Sequence, residues 1–392
     1  MDKNTLNNYG WIVIVVIVLI LMITLASPFG NYVADGANNI LEEFSASGNI
    51  EIDSDSTTDE TLTPTGTIAL PEKMYAFIGQ PIKLYYMNVT SYNSLDGLTV
   101  TVNAGGKGTT YSDRWEYTPT QAETFTVAIT VRDGEDNVVD HGEFTFEVKA
   151  SSEKEELTVL VIGDSTVNAG QETRQMLNLA TTDNYDLTLL GTRGTTGSVN
   201  QHEGRGGWTA NMYVNKASNT SGSVVNAFYN PETSIFDFAY YMTQQGYSGV
   251  DCVFIQLGIN DVFSPRSDSE LVTPKQTYLT YMDYIVNDIH TYDPNIKIVL
   301  NLIIPCSSNQ ADFDAAADAG TIPVRTAERC KINTYLTNLD VLDQFGGLNN
   351  VYISQFNSAV DSVNNFSDHV HPTSAGYVEL GTQMYSFLRA IN

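Results

Sequence analysis

Basic side chains are scarce in this chain of 392 residues. Only 19 Lys and Arg stand against 46 Asp and Glu, so the formal net charge is −27. Nucleic acids and anionic membrane surfaces are bound through clustered basic residues. The composition therefore argues against a nucleic-acid partner. It fits an exported protein with an acidic, soluble surface.

Cysteine is also scarce, with Cys252, Cys306 and Cys330 the three in the chain. Three cysteines make no evident disulfide framework, and their spacing does not suggest a zinc site. Cys306 and Cys330 flank an Ala/Asp-rich segment and remain open as a disulfide pair. We expect neither a metal nor a cofactor.

The N-terminal segment contains the longest apolar run of the chain, Trp11 to Ala26, which carries no charge. Its length is close to the roughly 20 residues of a membrane-spanning helix. We interpret residues 1–30 as a retained anchor that places the rest outside the cytoplasm. A signal segment cleaved near Ala26, which would release a secreted protein, is the alternative. Residues 31–66 are acidic and rich in Ser and Thr, which predicts a linker.

Two folded regions are predicted after the linker. Residues 67–150 contain short runs rich in Val, Thr, Tyr and Phe that alternate at period two, as in 124–131, and they predict a small antiparallel β-sandwich. Residues 155–392 alternate strand-like and helix-like segments, which predicts a parallel sheet covered by helices on both faces. We expect strands at 157–162, 186–190, 252–257, 297–304 and 350–354. We expect helices at 171–181, 232–246, 274–292, 324–338 and 373–390.

Four short polar blocks occur in order along this second region. Gly163-Asp164-Ser165 ends the first strand, and Gly204-Arg-Gly-Gly-Trp208 follows the second. Gly258-Ile-Asn-Asp261 ends the third, and Asp368-His-Val-His371 lies near the C-terminus. Because ligands bind at the carboxyl ends of parallel strands, these blocks predict one site.

With these blocks the chain resembles the SGNH hydrolase (GDSL esterase/lipase) superfamily over about residues 155–392. The resemblance implies a flavodoxin-like three-layer α/β/α fold with a five-stranded parallel sheet. It also makes residues 67–150 similar to the immunoglobulin-like domains that precede some bacterial SGNH esterases. The four letters of the family name are matched by Ser165, Gly207, Asn260 and His371.

The chemistry expected of these residues is acyl transfer. A serine hydroxyl needs an adjacent base, and the chain has no Gly-x-Ser-x-Gly elbow to supply another nucleophile. Ser165 is the predicted nucleophile, His371 the base and Asp368 the residue that orients it. His369, between the last two, is expected to point away from the serine.

The resemblance also assigns residues around this triad. The backbone N–H groups of Ser165 and Gly207 and the side chain of Asn260 would stabilise the oxyanion. Gly207 is preferred over Gly204 and Gly206 because it directly precedes a tryptophan. His202, Arg205 and Trp208 would shape the substrate pocket.

The predicted function is hydrolysis of short-chain esters, O-acetyl groups on carbohydrate above all, through an acyl-serine intermediate. The substrate would be an acylated small molecule or a polysaccharide. A lipid or thioester substrate is the alternative within the same family. A surface-displayed protein that uses the same scaffold to bind glycans is the alternative from another class.

Overall fold

The predicted strands of the C-terminal region form one parallel sheet in the computed structural model, which describes residues 67–195 and 197–392. Its main strands run in the order β9-β8-β13-β14-β15, and the two-residue β10 pairs with the end of β8. Counted along the chain, this order is 2-1-3-4-5, the flavodoxin-like order. The strands are β8 (Glu156–Gly163), β9 (Asp186–Leu190), β10 (Glu203–Gly204), β13 (Cys252–Gln256), β14 (Lys297–Asn301) and β15 (Val351–Ser354).

Helices cover both faces of this sheet, so the domain has three layers. Alternate side chains of β8 enter different cores: Leu160 and Ile162 pack in one, and Val159 and Val161 pack in the other. Such alternation is expected of a strand that is buried on both faces. The longer helices are α3 (Gln171–Thr182), α5 (Phe238–Gln245), α7 (Asp268–Tyr292), α8 (Gln310–Asp318), α9 (Ala327–Phe345) and α10 (Ser374–Ile391); the shorter ones include α2 (Ser165–Asn168), α4 (Ala210–Asn215), α6 (Ile259–Val262) and a 3₁₀ turn at Phe356–Ser358.

The prediction of one helix over 232–246 is wrong in its first half. The structure has a hairpin there, β11 (Tyr229–Asn230) and β12 (Ile235–Phe236), and the helix begins only at Phe238. The side chain of Asn230 accepts a hydrogen bond from the N–H of Glu232 and forms a turn. Asp237 then caps the helix by accepting from the N–H of Tyr240 at 2.8 Å. Two local side-chain hydrogen bonds therefore set the turn of the hairpin and the start of the helix.

The region before the parallel sheet consists of two small sheets that share one core. One has the order β1-β7-β6-β3 and the other β2-β5-β4. The pairs are antiparallel except β1 with β7, which is parallel, so the predicted purely antiparallel pattern is wrong for that edge. The elements are β1 (Lys73–Phe77), β2 (Ile82–Tyr85), α1 (Tyr86–Val89), β3 (Thr99–Asn103), β4 (Thr109–Thr110), β5 (Arg114–Tyr117), β6 (Glu123–Arg132) and β7 (Val138–Lys149).

The β-rich region packs directly against the α/β region, and together they form one compact unit. Polar side chains tie the two regions together: Lys83 Nζ lies 2.8 Å from Glu379 Oε1 on α10. Asn88 donates to the carbonyls of Asn357 and Val360 at 3.0 and 2.7 Å. These contacts attach the β-rich region to α10 and to the segment just before it.

The predicted anchor (1–30) and linker (31–66) lie outside the described residues. Within the described ranges, no helix is long and apolar enough to cross a bilayer. Cys252, Cys306 and Cys330 are all buried free thiols. The open alternative of a disulfide between Cys306 and Cys330 is therefore not realised in this structure.

Candidate active site

Three of the four polar blocks meet the C-terminal one at the carboxyl edge of the sheet. Ser165 begins α2 directly after β8, and Asn260 lies in α6 directly after β13. The loop that carries Asp368 and His371 leads into α10. The parallel order brings β8 and β13 side by side, which places residues far apart in sequence at one edge.

Ser165, His371 and Asp368 form a continuous chain of hydrogen bonds. Ser165 Oγ lies 2.8 Å from His371 Nε2, and His371 Nδ1 lies 2.8 Å from Asp368 Oδ2. The other carboxylate oxygen of Asp368 accepts from the backbone N–H groups of Val370 and His371 at 2.9 and 2.8 Å. The carboxylate is thus fixed by its own loop and in turn fixes the imidazole.

This geometry shifts the pKa values of both ionisable partners. The hydrogen bond to Asp368 raises the pKa of His371, although partial burial opposes the shift. Partial burial alone would raise the pKa of Asp368, but the hydrogen bonds from His371 and the two backbone N–H groups outweigh it. They hold the pKa of that carboxyl well below its usual range. Asp368 is therefore a carboxylate throughout the range in which His371 titrates.

His369 takes no part in this chain of hydrogen bonds. Its ring packs against the rings of Phe263 and Phe313, with centroids 5.5 and 5.6 Å away. Its Nδ1 atom is 3.9 Å from Asp368, beyond hydrogen-bonding distance. The structure places this histidine away from the serine, as expected of a residue between two that face the site.

A buried polar network holds the turn that carries Ser165. Asp164 Oδ1 accepts from both the backbone N–H and the hydroxyl of Thr166, at 2.9 and 2.8 Å. Gln256, the last residue of β13, donates to the same hydroxyl at 2.7 Å. Burial raises the pKa of Asp164 to about 6. Gln256 was not predicted to take part in the site; its one signal in the sequence is that a polar residue ends an otherwise apolar strand.

Asn260 is presented by a sharp turn at Gly258. Gly258 has φ +126°, and a Cβ there would lie 2.5 Å from the side chain of Ile303, so only glycine fits. The side-chain amide of Asn260 donates to the carbonyl of Trp208 at 3.1 Å. Asp261 accepts from the N–H of Ala210 at 3.1 Å, which fastens this turn to the second block as a loop brace.

Of Gly206 and Gly207 in the second block, Gly206 lies closer to the side chain of Ser165. A Cβ built on Gly206 would lie 4.0 Å from Ser165 Cβ, whereas nothing lies within 4 Å of one built on Gly207. Gly207, with φ +73°, is the third residue of a turn closed by Trp208 N–H and Arg205 C=O at 3.2 Å. Such a turn favours glycine at its third position. In the described part of the chain, the backbone N–H groups of Ser165, Gly206 and Gly207 all donate to no acceptor.

Arg205 and Trp208, which the sequence predicts to shape the substrate pocket, have internal side chains in this loop. Arg205 is 0% exposed and Trp208 is 1% exposed. Arg205 pairs with Glu203 at 2.6 Å and lies 5.3 Å from the centre of the Trp208 ring. Tyr213, which sequence reasoning missed, accepts from Arg205 at 3.3 Å and donates to the carbonyl of Gly163 at 2.7 Å. These side chains brace the loop from inside.

His202 is also buried, but it lines a polar cavity beside α2 and α3. Burial, with a smaller contribution from Arg193 and Arg205, lowers the pKa of His202 to about 4. Among the residues that the structure describes, no group of three or more His, Cys, Asp or Glu side chains is placed to hold a metal ion.

Comparison with known proteins finds similarity in structure alone. No protein-family model and no curated protein matches the chain. An acetylxylan esterase from Geobacillus stearothermophilus, solved as a catalytic mutant, is 16% identical, covers 60% of this chain and 94% of its own, with a TM-score of 0.32. A provisionally named arylesterase from Agrobacterium tumefaciens is 14% identical over 60% of this chain and 100% of its own, with a TM-score of 0.37.

A third solved structure, a provisionally named platelet activating factor from Streptococcus pneumonia, is 18% identical over 59% of this chain and 84% of its own, with a TM-score of 0.38. All three identities are below 20% and all three TM-scores below 0.4. The fold and the site are therefore argued from the strand order and side-chain distances of this chain. That order is 2-1-3-4-5 in a three-layer domain. The fold is the one that the resemblance to the SGNH hydrolases predicts.

Proposed function

We propose that the protein is a serine esterase in which Ser165 is the nucleophile. The observation that carries the proposal is the chain of 2.8 Å hydrogen bonds from Ser165 through His371 to Asp368. A serine hydroxyl is activated by a base within hydrogen-bonding reach, and the base is oriented by a third group. The site is half-buried, so an ester can approach the hydroxyl.

In the proposed reaction, Ser165 Oγ attacks the ester carbonyl while His371 Nε2 takes its proton. The imidazolium formed is stabilised by Asp368, and it then returns the proton to the leaving alcohol. Water, deprotonated by the same nitrogen, releases the acid from the acyl-serine. The raised pKa of His371 fits a group that must accept a proton and give it back near neutral pH.

We propose three donors that stabilise the oxyanion. They are the backbone N–H groups of Ser165 and Gly206 and the side-chain amide of Asn260. The proximity of Gly206 to Ser165 and the turn-forming role of Gly207 favour Gly206 over the predicted Gly207 as the second donor. Asn260 keeps one amide hydrogen on the carbonyl of Trp208, which leaves the other for the oxyanion.

For the substrate we propose short acyl groups, O-acetyl above all, on a carbohydrate. The cavity beside α2 supports a sugar over a lipid, because its lining includes Asn168, Arg174, Arg193, Asn200 and His202. A lipid or thioester acyl chain would favour an apolar channel instead. The apolar run at 11–26 supports a membrane anchor that holds the enzyme outside the cytoplasm.

The test is hydrolysis of 4-nitrophenyl acetate and 4-nitrophenyl octanoate by the wild type and Ser165→Ala. We expect turnover that prefers acetate, and a loss of roughly 10⁴-fold or more in kcat on substitution, because the acyl-enzyme cannot form. Circular dichroism checks that the variant is folded. Equal release by wild type and variant would sink the nucleophile assignment and favour the glycan-binding alternative, which glycan arrays would then examine. Preference for octanoate would favour the lipid alternative.

A further inference from the structure

A polar cavity of about 370 Å³ opens beside the nucleophile helix. It is lined by the end of α2, the start of α3 and the loop that leads to His202. Asn168, on its wall, is three residues after Ser165 in the same short helix. The cavity therefore begins one helical turn, about 5 Å, from the predicted nucleophile.

The charge of this cavity is opposite to that of the chain as a whole. Two arginines, Arg174 and Arg193, line it, and no Asp or Glu does. In a chain with a net charge of −27, a wall with two guanidinium groups and no carboxylate is a local exception. Neither arginine forms an ion pair within the described part of the chain: Arg193 contacts Asn168 at 3.2 Å, and its Nε atom is buried without an acceptor.

Two buried side chains add unpaired polar groups. His202 is 2% exposed, and its Nδ1 accepts from the N–H of Gly204 at 3.1 Å, so the proton of the neutral ring is on Nε2. Asn200 is 5% exposed; its amide nitrogen donates to the carbonyl of Gly170 at 2.8 Å, and its Oδ1 has no partner. Buried polar groups are normally hydrogen-bonded, so Asn200 Oδ1 is an acceptor open to a ligand.

Gly170, which precedes α3, lines the cavity beside these groups. Its φ is +65°, and a Cβ there would lie 3.3 Å from the amide of Asn200 and 3.4 Å from Nε2 of His202. The N-terminal end of the 12-residue helix α3 lines the same space and favours negative charge. The donors are thus a histidine N–H, two guanidinium groups and a helix N-terminus, with one amide oxygen as acceptor.

We propose that this cavity is a subsite for a carboxylate-bearing, hydroxylated part of the substrate, such as a uronic acid residue next to the acylated position. The guanidinium groups of Arg174 and Arg193 bind the carboxylate, and Asn200 Oδ1 accepts from a hydroxyl. As a part of the substrate site, it rests on the esterase activity proposed above. The carboxylate can stand on the alcohol part or on the acyl part of the ester, and the experiments separate the two.

The first experiment measures binding without turnover. Galacturonate and galactose, which differ at C6 only, are titrated into the full-length Ser165→Ala protein by calorimetry. We expect galacturonate to bind tighter by roughly tenfold to a hundredfold, the value of a charge-assisted hydrogen-bonded contact. Arg174→Gln with Arg193→Gln removes the difference, and Arg132→Gln with Lys149→Gln in the β-rich region, the matched loss of two positive charges, keeps it. Equal binding of the two sugars, or a preference that survives the double substitution, would overturn the proposal.

The second experiment uses turnover. The ratio of kcat/KM for O-acetylated methyl galacturonoside to that for O-acetylated methyl galactoside is expected to exceed ten in the wild type and to approach one in the double variant. A rise confined to 4-nitrophenyl hemisuccinate over 4-nitrophenyl acetate places the carboxylate on the acyl part. If neither ester is hydrolysed but galacturonate still binds, the esterase proposal fails and the subsite stands. If both sugar esters are hydrolysed at equal kcat/KM and the hemisuccinate is not preferred over the acetate, the subsite fails and the esterase stands.

Discussion

Two charged pairs stand in neighbouring loops at the same edge of the sheet, and they differ in burial. Glu203 and Arg205 are 0% exposed and lie 2.6 Å apart. Asp368 and His371 lie 2.8 Å apart, with 43% and 37% of their side chains exposed. An arginine keeps its proton in a protein, whereas a histidine titrates near neutrality. The buried pair can only support structure, and the half-exposed pair can exchange a proton with a substrate.

The buried pair supports the exposed site through the loop between Glu203 and Trp208. The backbone N–H of Arg205 donates to the carbonyl of Gly163 at 2.9 Å, at the end of the strand that carries Ser165. The Arg205 side chain lies over the Trp208 ring, and the Trp208 carbonyl holds the amide of Asn260. We infer that the buried pair keeps Gly206 and Asn260 in place without touching a substrate.

The largest expected effect is on the half-exposed pair. Asp368→Asn should lower kcat/KM for 4-nitrophenyl acetate by roughly 10³- to 10⁴-fold, because an amide in this position favours the wrong tautomer of His371. Its free energy of unfolding should change by about 1 kcal/mol or less, since the pair is half-exposed. Asp361→Asn is the matched control: its carboxylate also accepts backbone N–H groups in this segment, with no histidine on it. Similar activity for the two variants would contradict the triad.

The opposite pattern is expected for the buried pair. Arg205→Met should lower the free energy of unfolding by about 3–5 kcal/mol, because Glu203 is left as an uncompensated buried charge. Glu203→Gln combined with Arg205→Met removes both charges and should recover part of this loss. Urea denaturation of the three proteins measures it. An Arg205→Met protein as stable as the wild type would show that the pair is not a structural brace.

A smaller effect on catalysis is expected at Asn260, whose amide is held by the carbonyl of Trp208. Asn260→Ala removes one oxyanion donor, and kcat should fall by roughly 10²- to 10³-fold with little change in KM. Steady-state kinetics with 4-nitrophenyl acetate separates the two constants. A rise in KM at constant kcat would instead assign Asn260 to binding of the ground state.

The two charged pairs also differ in how well they could be predicted from the sequence. The positions of the strands and the pairing of Asp368 with His371 could be predicted, because apolar runs indicate strands and a three-residue spacing is local. The flavodoxin-like arrangement of the strands was expected from the resemblance to the SGNH hydrolases. The burial of Arg205 and Trp208 could not be predicted. Their neighbours Tyr213 and Phe228 are brought in by tertiary packing. The proposed preference for Gly206 over Gly207 could not be predicted either, since it depends on which one lies against Ser165.

The smallest expected effect is a shift in the pH profile. The neutral form of His371 is the base, and its hydrogen bond to Asp368 raises its pKa above the ordinary value of 6.5. As pH falls through that raised pKa, the imidazole is protonated and kcat/KM falls. Asp368→Asn removes the negative partner, so the acid limb of its residual activity should move to lower pH.

The control is Arg205→Met, assayed under conditions in which it is still folded. Its acid limb should stay where it is in the wild type, since Arg205 does not contact His371. Profiles of kcat/KM from about pH 5 to 9 for the three proteins measure this. A limb that moves in Arg205→Met, or stays in Asp368→Asn, would mean that the half-exposed pair does not set the protonation of the base.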